Sequence, residues 1–447
     1  MKRNSVSYRV AVLFCSNSVL QLMGFAYRMA LSKYAGTYAL GLNSLVMQIY
    51  GVIVSVCISG TNVAVSALAA RTEDDSSGTL IGSAAIILCA LWAAAVIPAV
   101  SFGRTIENVV FRESGMLKTL LLMPFCILMT GFENILKSFH IGKGRAAVCG
   151  VSETLEQGVR FALVIALIKH LRANDSPDKV FLIMLGMTAS EFVSVGFLSV
   201  SYYIGFSRVK TRPKAKVPLM LRDIAVIAFP ASLTAVSSTA FASAGSLILP
   251  TLLAGAGLTR EEAISSVGTL NTVFVPLTML PMAFAGAASA VIMPEISFMT
   301  ERGSSPDKLI RRAFVLVGAV GFAASAVIFI LSDRISARLF GVRSDRIVFL
   351  LLSIKAFVLF VQAVSTASLN GLLLQKKVLL FAVVGESYQL ALILLLTPVL
   401  GIKGYCVGMA AGELLRLILN AAQIREALNN CGFYGRDMLK SNSKNTL

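Results

Sequence analysis

Between Asp75 and Arg104 the chain carries no charged residue, and "IILCALWAAAVIPAV" lies inside that stretch. About 20 such residues, wound as a helix, cover the roughly 30 Å hydrocarbon layer of a bilayer. Comparable apolar blocks recur along all 447 residues. The chain is 56% hydrophobic and only 14% charged, against about 25% charged in a soluble domain. A soluble core cannot absorb that much apolar sequence, so the solvent is lipid. Backbone groups in lipid must find partners within the protein, which leaves helices or closed barrels. The apolar runs are continuous rather than alternating, so helices are expected. The expected fold class is an all-α polytopic membrane protein.

Twelve spans fit, centred near Leu20, Ile53, Trp92, Leu128, Val164, Ser194, Ser238, Leu280, Phe322, Phe360, Ala391 and Ala411. Short polar segments such as "RTEDDSSG", "KGRAAV" and "QKK" separate them. The basic N-terminus "MKRNSVSYR" precedes an apolar run without a small-residue cleavage site, so the first helix is expected to stay uncleaved. The longest basic connector is "SRVKTRPKAKVPLMLR", residues 207–222, with six Lys and Arg. Cations collect on the cytoplasmic side of membrane proteins, which places this connector and both termini inside the cell. The four arginines of "SDRISARLFGVRSDR" fall on the outer side and run against the trend. The expected organisation is a six-helix lobe over 1–206, a basic cytoplasmic linker over 207–222, a second six-helix lobe over 223–425 and a cytoplasmic tail over 426–447.

Two internal similarities suggest a duplication. "VSETLEQ" and "VGESYQL" each follow a short basic loop and place Glu153 opposite Glu386 at an offset of 233. "SGTNVAVSALAA" and "AGAASAVIMPEI" share a small-residue pattern at an offset of 226. Paired six-helix bundles are a common transporter plan, with the substrate path between repeats.

The formal charge of +17 does not point to nucleic acid, because the cations sit between apolar blocks and match loops beside anionic headgroups. His140 and His170 are the only histidines, and the seven cysteines are scattered with no CxxC, so neither a histidine metal site nor any cofactor is expected.

The informative residues are charges inside the spans. These are Arg28, Glu133, Lys137, Glu153, Glu156, Arg160, Glu191, Lys355, Glu386, Glu413 and Arg416. A charge at the bilayer centre costs about 2.5–3.5 kcal/mol on insertion scales, so such residues face a partner or a watery cavity. Glu133 and Lys137 are spaced i,i+4, as are Glu156 and Arg160, while Glu413 and Arg416 are i,i+3 near a span end. Each pair reads either as a neutralised structural pair or as part of a site. Arg28 and Lys355 lack an acidic residue at helical spacing and read as snorkelling cations or site residues. The first two spans contain no Asp or Glu. On that sign, Arg28, Lys137 and Arg160 are expected to line one cationic cavity, with Glu156 bracing Arg160 and Glu153 nearby. An arginine fork suits phosphate oxygens.

Three segments carry a family resemblance. "LGLNSLVMQIYGVIVSVCISGTNVAVSALAA" resembles the second span of the polysaccharide-transporter (oligosaccharide flippase) family that includes stage V sporulation protein B. "VSETLEQGVRF" resembles the fifth span, where Glu156, Gln157 and Arg160 match an EQ-x-x-R run, and "VPLTMLPMAFAGAASAVIMPEIS" is similar to the eighth. Arg28 and Lys137 match basic positions of the first and fourth spans. In the seventh span, Gly245, Thr251 and Leu252 stand where the family often carries an acidic and two basic residues. The resemblance implies membership of the multidrug/oligosaccharidyl-lipid/polysaccharide exporter superfamily, with two six-helix lobes around a central cavity and alternating access. It implies a plasma-membrane protein whose partner is a lipid-linked saccharide with a pyrophosphate headgroup, of peptidoglycan type, and it brings in a sporulation role. Three rivals compete. One is a multidrug cation antiporter, which wants an acidic site. Another is an intramembrane glycosyltransferase, which the short loops and the lack of DxD disfavour. The third is a non-transporting scaffold in cell-wall assembly.

Overall fold

The computed structural model describes residues 6–72, 76–171, 175–206, 217–302, 304–340 and 345–444, and every regular element among them is helical. In chain order the main helices are α1 (Val6–Ala35), α2 (Thr37–Ala69), α3 (Ser77–Ser101), α4 (Leu117–Gly142), α5 (Ala146–His170), α6 (Ser176–Phe206) and α7 (Val217–Gly255). They continue as α8 (Arg260–Thr269), α9 (Met282–Glu301), α10 (Asp307–Ile335), α11 (Arg346–Gly371), α12 (Gln375–Leu400) and α13 (Ile402–Lys444). Among the described residues nine helices are long and apolar enough to cross a membrane: α2, α3, α4, α6, α7, α9, α10, α11 and α12. The expected spans centred on Leu20, Val164 and Ala411 are α1, α5 and α13.

Three boundaries differ from the sequence reading. The eighth span is not centred on Leu280. The chain breaks there, because Pro281 has no N–H and its ring interrupts the helical ladder, and the membrane-length helix begins at Met282. Residues 217–222 of the basic connector are helical and open α7, with Pro218 in the first turn where a missing N–H costs no hydrogen bond. Residues 207–216, including Lys214, lie outside the described residues. The 426–444 segment is helical and continuous with α13.

The helices gather into two compact units. The first comprises residues 26–251 and 259–272, and so contains α2 to α8. The second comprises residues 1–25, 252–258 and 273–447, and so contains α9 to α13. Lipid gives little hydrophobic push between helices, so close approach through small residues matters. In the first unit a Cβ on Gly41 of α2 would fall 2.1 Å from the Ile264 carbonyl of α8, and one on Gly268 of α8 would fall 2.2 Å from the Thr37 carbonyl. Gly186 of α6 likewise admits the Val164 side chain of α5. These contacts fix the floor on which the charged residues stand.

At one end of this unit the starts of α2, α4, α6 and α8 converge on a polar cleft of about 670 Å³. Tyr38, Glu113, Lys118, Asp178 and Glu261 line it, and the Tyr38 hydroxyl donates to Glu113 at 2.8 Å. That common end follows from the alternating direction of successive spans.

Candidate functional site

The charges of α4, α5 and α6 meet in one buried network in the first unit. On α4, Lys137 Nζ lies 2.8 Å from Glu133 Oε1, one turn away. The same ammonium reaches across to α5, 3.3 Å from Glu156 Oε2 and 3.7 Å from Glu153 Oε1. Glu156 uses its other oxygen to pair with Arg160 Nη2, again one turn along. That nitrogen also lies 3.1 Å from Glu191 Oε1 on α6, while Arg160 Nε donates to the Ser190 hydroxyl at 3.2 Å. Ser194 Oγ, one turn beyond Ser190, donates to Glu133 at 2.5 Å and shares a 2.6 Å hydrogen bond with Ser152 Oγ. On the neighbouring wall Tyr50 of α2 and Thr130 of α4 join hydroxyls at 2.8 Å.

Charge counting explains the shape of this network. Glu133, Glu156 and Glu191 are buried, and one oxygen of each lies within 4.8 Å of the others. At that separation two bare carboxylates repel by about 3–4 kcal/mol at an effective dielectric of 20. Lys137 and Arg160 lie between them and offset that repulsion, so neither cation is a free charge. The expected cationic cavity carries more acid than Glu153 and Glu156: three buried carboxylates, Glu133, Glu156 and Glu191, face two cations. The sequence showed no acid on the first two spans, but α4, α5 and α6 supply the counter-charges across helix interfaces.

The structure brings Lys137, Glu153, Glu156 and Arg160 together. Glu153 stands at the rim, with its side chain 41% exposed. Arg28 is outside the network: it is exposed on α1 and makes no ion pair among the described residues. Its neighbour Tyr27 makes the approach instead, with its ring 6.2 Å from that of Phe161, the residue after Arg160. Arg160 keeps 22% of its side chain exposed, and among the described residues its Nη1 has no partner. One edge of the guanidinium is thus held by Glu156, Glu191 and Ser190, and Nη1 is left for an incoming acceptor.

The second unit carries a smaller cluster on α11, α12 and α13. Arg416 Nη2 lies 3.0 Å from Glu413 Oε2, and its Nη1 lies 3.7 Å from Glu386 of α12. The Glu413–Arg416 pair is therefore part of an interhelical cluster, tied to α12 through Glu386. Lys355 does not snorkel. It is buried on α11, with the sulfur of Met409 on α13 3.9 Å from Nζ.

Glu191 and the serines Ser152, Ser190 and Ser194 complete the first network, and the sequence reading left them out of the site. A lone carboxylate in the apolar run of α6 was the one legible signal. Serines at small-residue helix interfaces carry none.

The described helices share the fold of MATE transporters. One solved structure, the inward-facing conformation of a multidrug resistance MATE family transporter of the MOP superfamily, superposes with a TM-score of 0.73 at 15% identity over 94% of this chain and 99% of that one. A Vibrio cholerae MATE transporter gives 0.67 at 13% identity, covering 95% and 98%. The chain belongs to the family described as "Polysaccharide biosynthesis protein", whose model matches residues 8–300. It is also 22% identical over 444 residues to stage V sporulation protein B of Bacillus subtilis (strain 168), covering 93% of this chain and 83% of that protein.

Proposed function

We propose that this multi-pass membrane transporter is a flippase for a lipid-linked cell-wall precursor or oligosaccharide, of peptidoglycan type, working by alternating access in the plasma membrane with both termini cytoplasmic. A pyrophosphate headgroup is the part of such a cargo that lipid excludes most strongly. The observation that carries the reading is Arg160: a guanidinium inside the spans, braced on one edge and open at Nη1. A braced arginine loses little freedom when a phosphate oxygen arrives. Arg28, exposed on α1 next to Tyr27, whose ring meets that of Phe161, is the second cation this reading assigns to the headgroup. A role in sporulation rests on the likeness to stage V sporulation protein B alone. Liposomes carrying the purified protein and a fluorescent undecaprenyl-pyrophosphoryl saccharide test the reading: headgroup translocation above protein-free vesicles is expected. No translocation by a correctly folded preparation removes it.

The carboxylate trio favours a second reading. Glu133, Glu156 and Glu191 form the acidic site a cation-coupled exporter wants, located on α4 to α6 rather than on the first two spans. Export of a lipophilic organic cation from the same liposomes, with no movement of the labelled lipid, selects this alternative.

A further inference from the structure

The second unit contains an open groove of about 450 Å³ between α9 and α11, with Arg416 of α13 beside it. Met282, Gly286, Ser289, Ala290 and Met293 form the α9 wall, at spacings that repeat one helix face. The α11 wall mixes apolar Leu359 and Ala363 with Gln362, Thr366 and Asn370. A cavity of this size lies within the range of small-molecule sites.

Polar groups without protein partners collect on this groove. Ser289 Oγ and Arg416 Nε are buried and make no hydrogen bond among the described residues. The Asn370 carboxamide also has no partner among them, while its backbone carbonyl accepts from the Leu373 amide at 3.1 Å. Buried polar groups in native proteins are almost always satisfied, and each exception needs an explanation. Behind the wall a second layer holds the lining in place: Asn420 Nδ2 donates to Ser365 Oγ at 3.1 Å, and Ser365 donates to Gln362 Oε1 at 3.2 Å. A groove made only for an acyl or prenyl chain needs none of these groups.

We propose that this groove is a saccharide subsite, taking a glycosyl unit of the lipid-linked cargo; the assignment rests on the flippase reading above. A hydroxyl, a carboxamide and a guanidinium nitrogen match sugar hydroxyl and acetamido groups, which both donate and accept. The methionine, leucine and alanine surfaces match the apolar faces of a pyranose ring. Gly286 borders open space, because a Cβ there would meet nothing within 4 Å. It gives a means of filling the space without disturbing the fold.

The test is a binding titration of the full-length protein in nanodiscs with two probes, undecaprenyl-pyrophosphoryl disaccharide and undecaprenyl pyrophosphate. Wild type is expected to prefer the disaccharide form by about tenfold or more, as two or three added hydrogen bonds allow. Gly286→Leu fills the groove, and Asn370→Leu removes the carboxamide; each is expected to cut that preference to about threefold or less. Affinity for the sugar-free lipid and melting temperature should both stay unchanged. Variants that keep the full preference overturn the subsite and leave the flippase reading standing. Equal loss for both probes overturns it in favour of a lipid-chain groove. A wild type that binds neither probe sinks the flippase reading and the subsite together.

Discussion

Arg160 on α5 and Glu191 on α6 meet at 3.1 Å, 31 residues apart in the chain, with Glu191 on a helix long and apolar enough to cross a membrane. That contact turns a helical i,i+4 pair into a three-helix network, because Glu156 joins Arg160 to Lys137 of α4. Glu156 is the member on which both cations depend.

Glu156→Ala leaves Lys137 paired with Glu133 and Arg160 with Glu191. Breaking a buried pair by removing one partner costs about 3–5 kcal/mol, and residual exposure of Arg160 should hold the loss to the lower end. The expected result is a clear fall in thermal midpoint in detergent. Adding Lys137→Met to Glu156→Ala should lower it further, because Glu133 then keeps no cation and is left beside Glu191. A double variant as unstable as the sum of its single changes argues against coupling between the two.

Asp345 caps α11. Its Oδ1 accepts from the Ile347 amide at 2.9 Å, and its Oδ2 lies 3.2 Å from Lys403 Nζ. Partial burial acts to raise this carboxyl, but the Ile347 amide and the Lys403 ammonium outweigh it and hold it below the usual aspartate range. A depressed carboxyl contributes stability that is complete above the unfolded value near about pH 4 and is lost as pH falls through the lower folded value. Asp345→Ala should therefore cost about 1 kcal/mol at neutral pH, and the gap to wild type should close on acidification. A gap that persists or widens below pH 4 contradicts the cap.

Topology has its own test. In a cysteine-free background, Ser114→Cys, exposed on the loop before α4, should react with an impermeant maleimide added to intact cells. Lys214→Cys in the basic connector should react only after the cells are opened. The reverse pattern inverts the proposed orientation.

Much of the fold was legible because lipid imposes one rule, that spans are helical and apolar for about 20 residues. That rule located α2, α3, α4, α6, α7 and α10 to α12 from apolar length alone. It misplaced the eighth span at Leu280, since Pro281 breaks a helix without lowering the hydropathy of its surroundings. The site was legible to the extent that helical spacing reaches. Glu133 with Lys137 and Glu156 with Arg160 follow from i,i+4 geometry. Glu191 with Arg160 does not, because no sequence spacing states which faces of α5 and α6 meet. The same limit explains Lys355 and Arg416, whose surroundings are set by the packing of α11 to α13.

The central claim is that the open edge of Arg160 receives the cargo's phosphates, and headgroup translocation by Arg160 variants in liposomes measures it most directly. Arg160→Ala should reduce the rate by more than about tenfold. Arg160→Lys, which keeps the charge and loses the fork, should fall between it and wild type. Arg28→Ala should also be impaired. Arg160→Ala and Arg28→Ala proteins that fold normally and translocate the labelled headgroup at the wild-type rate would contradict the account, and the Glu156–Arg160–Glu191 network would then be structural alone.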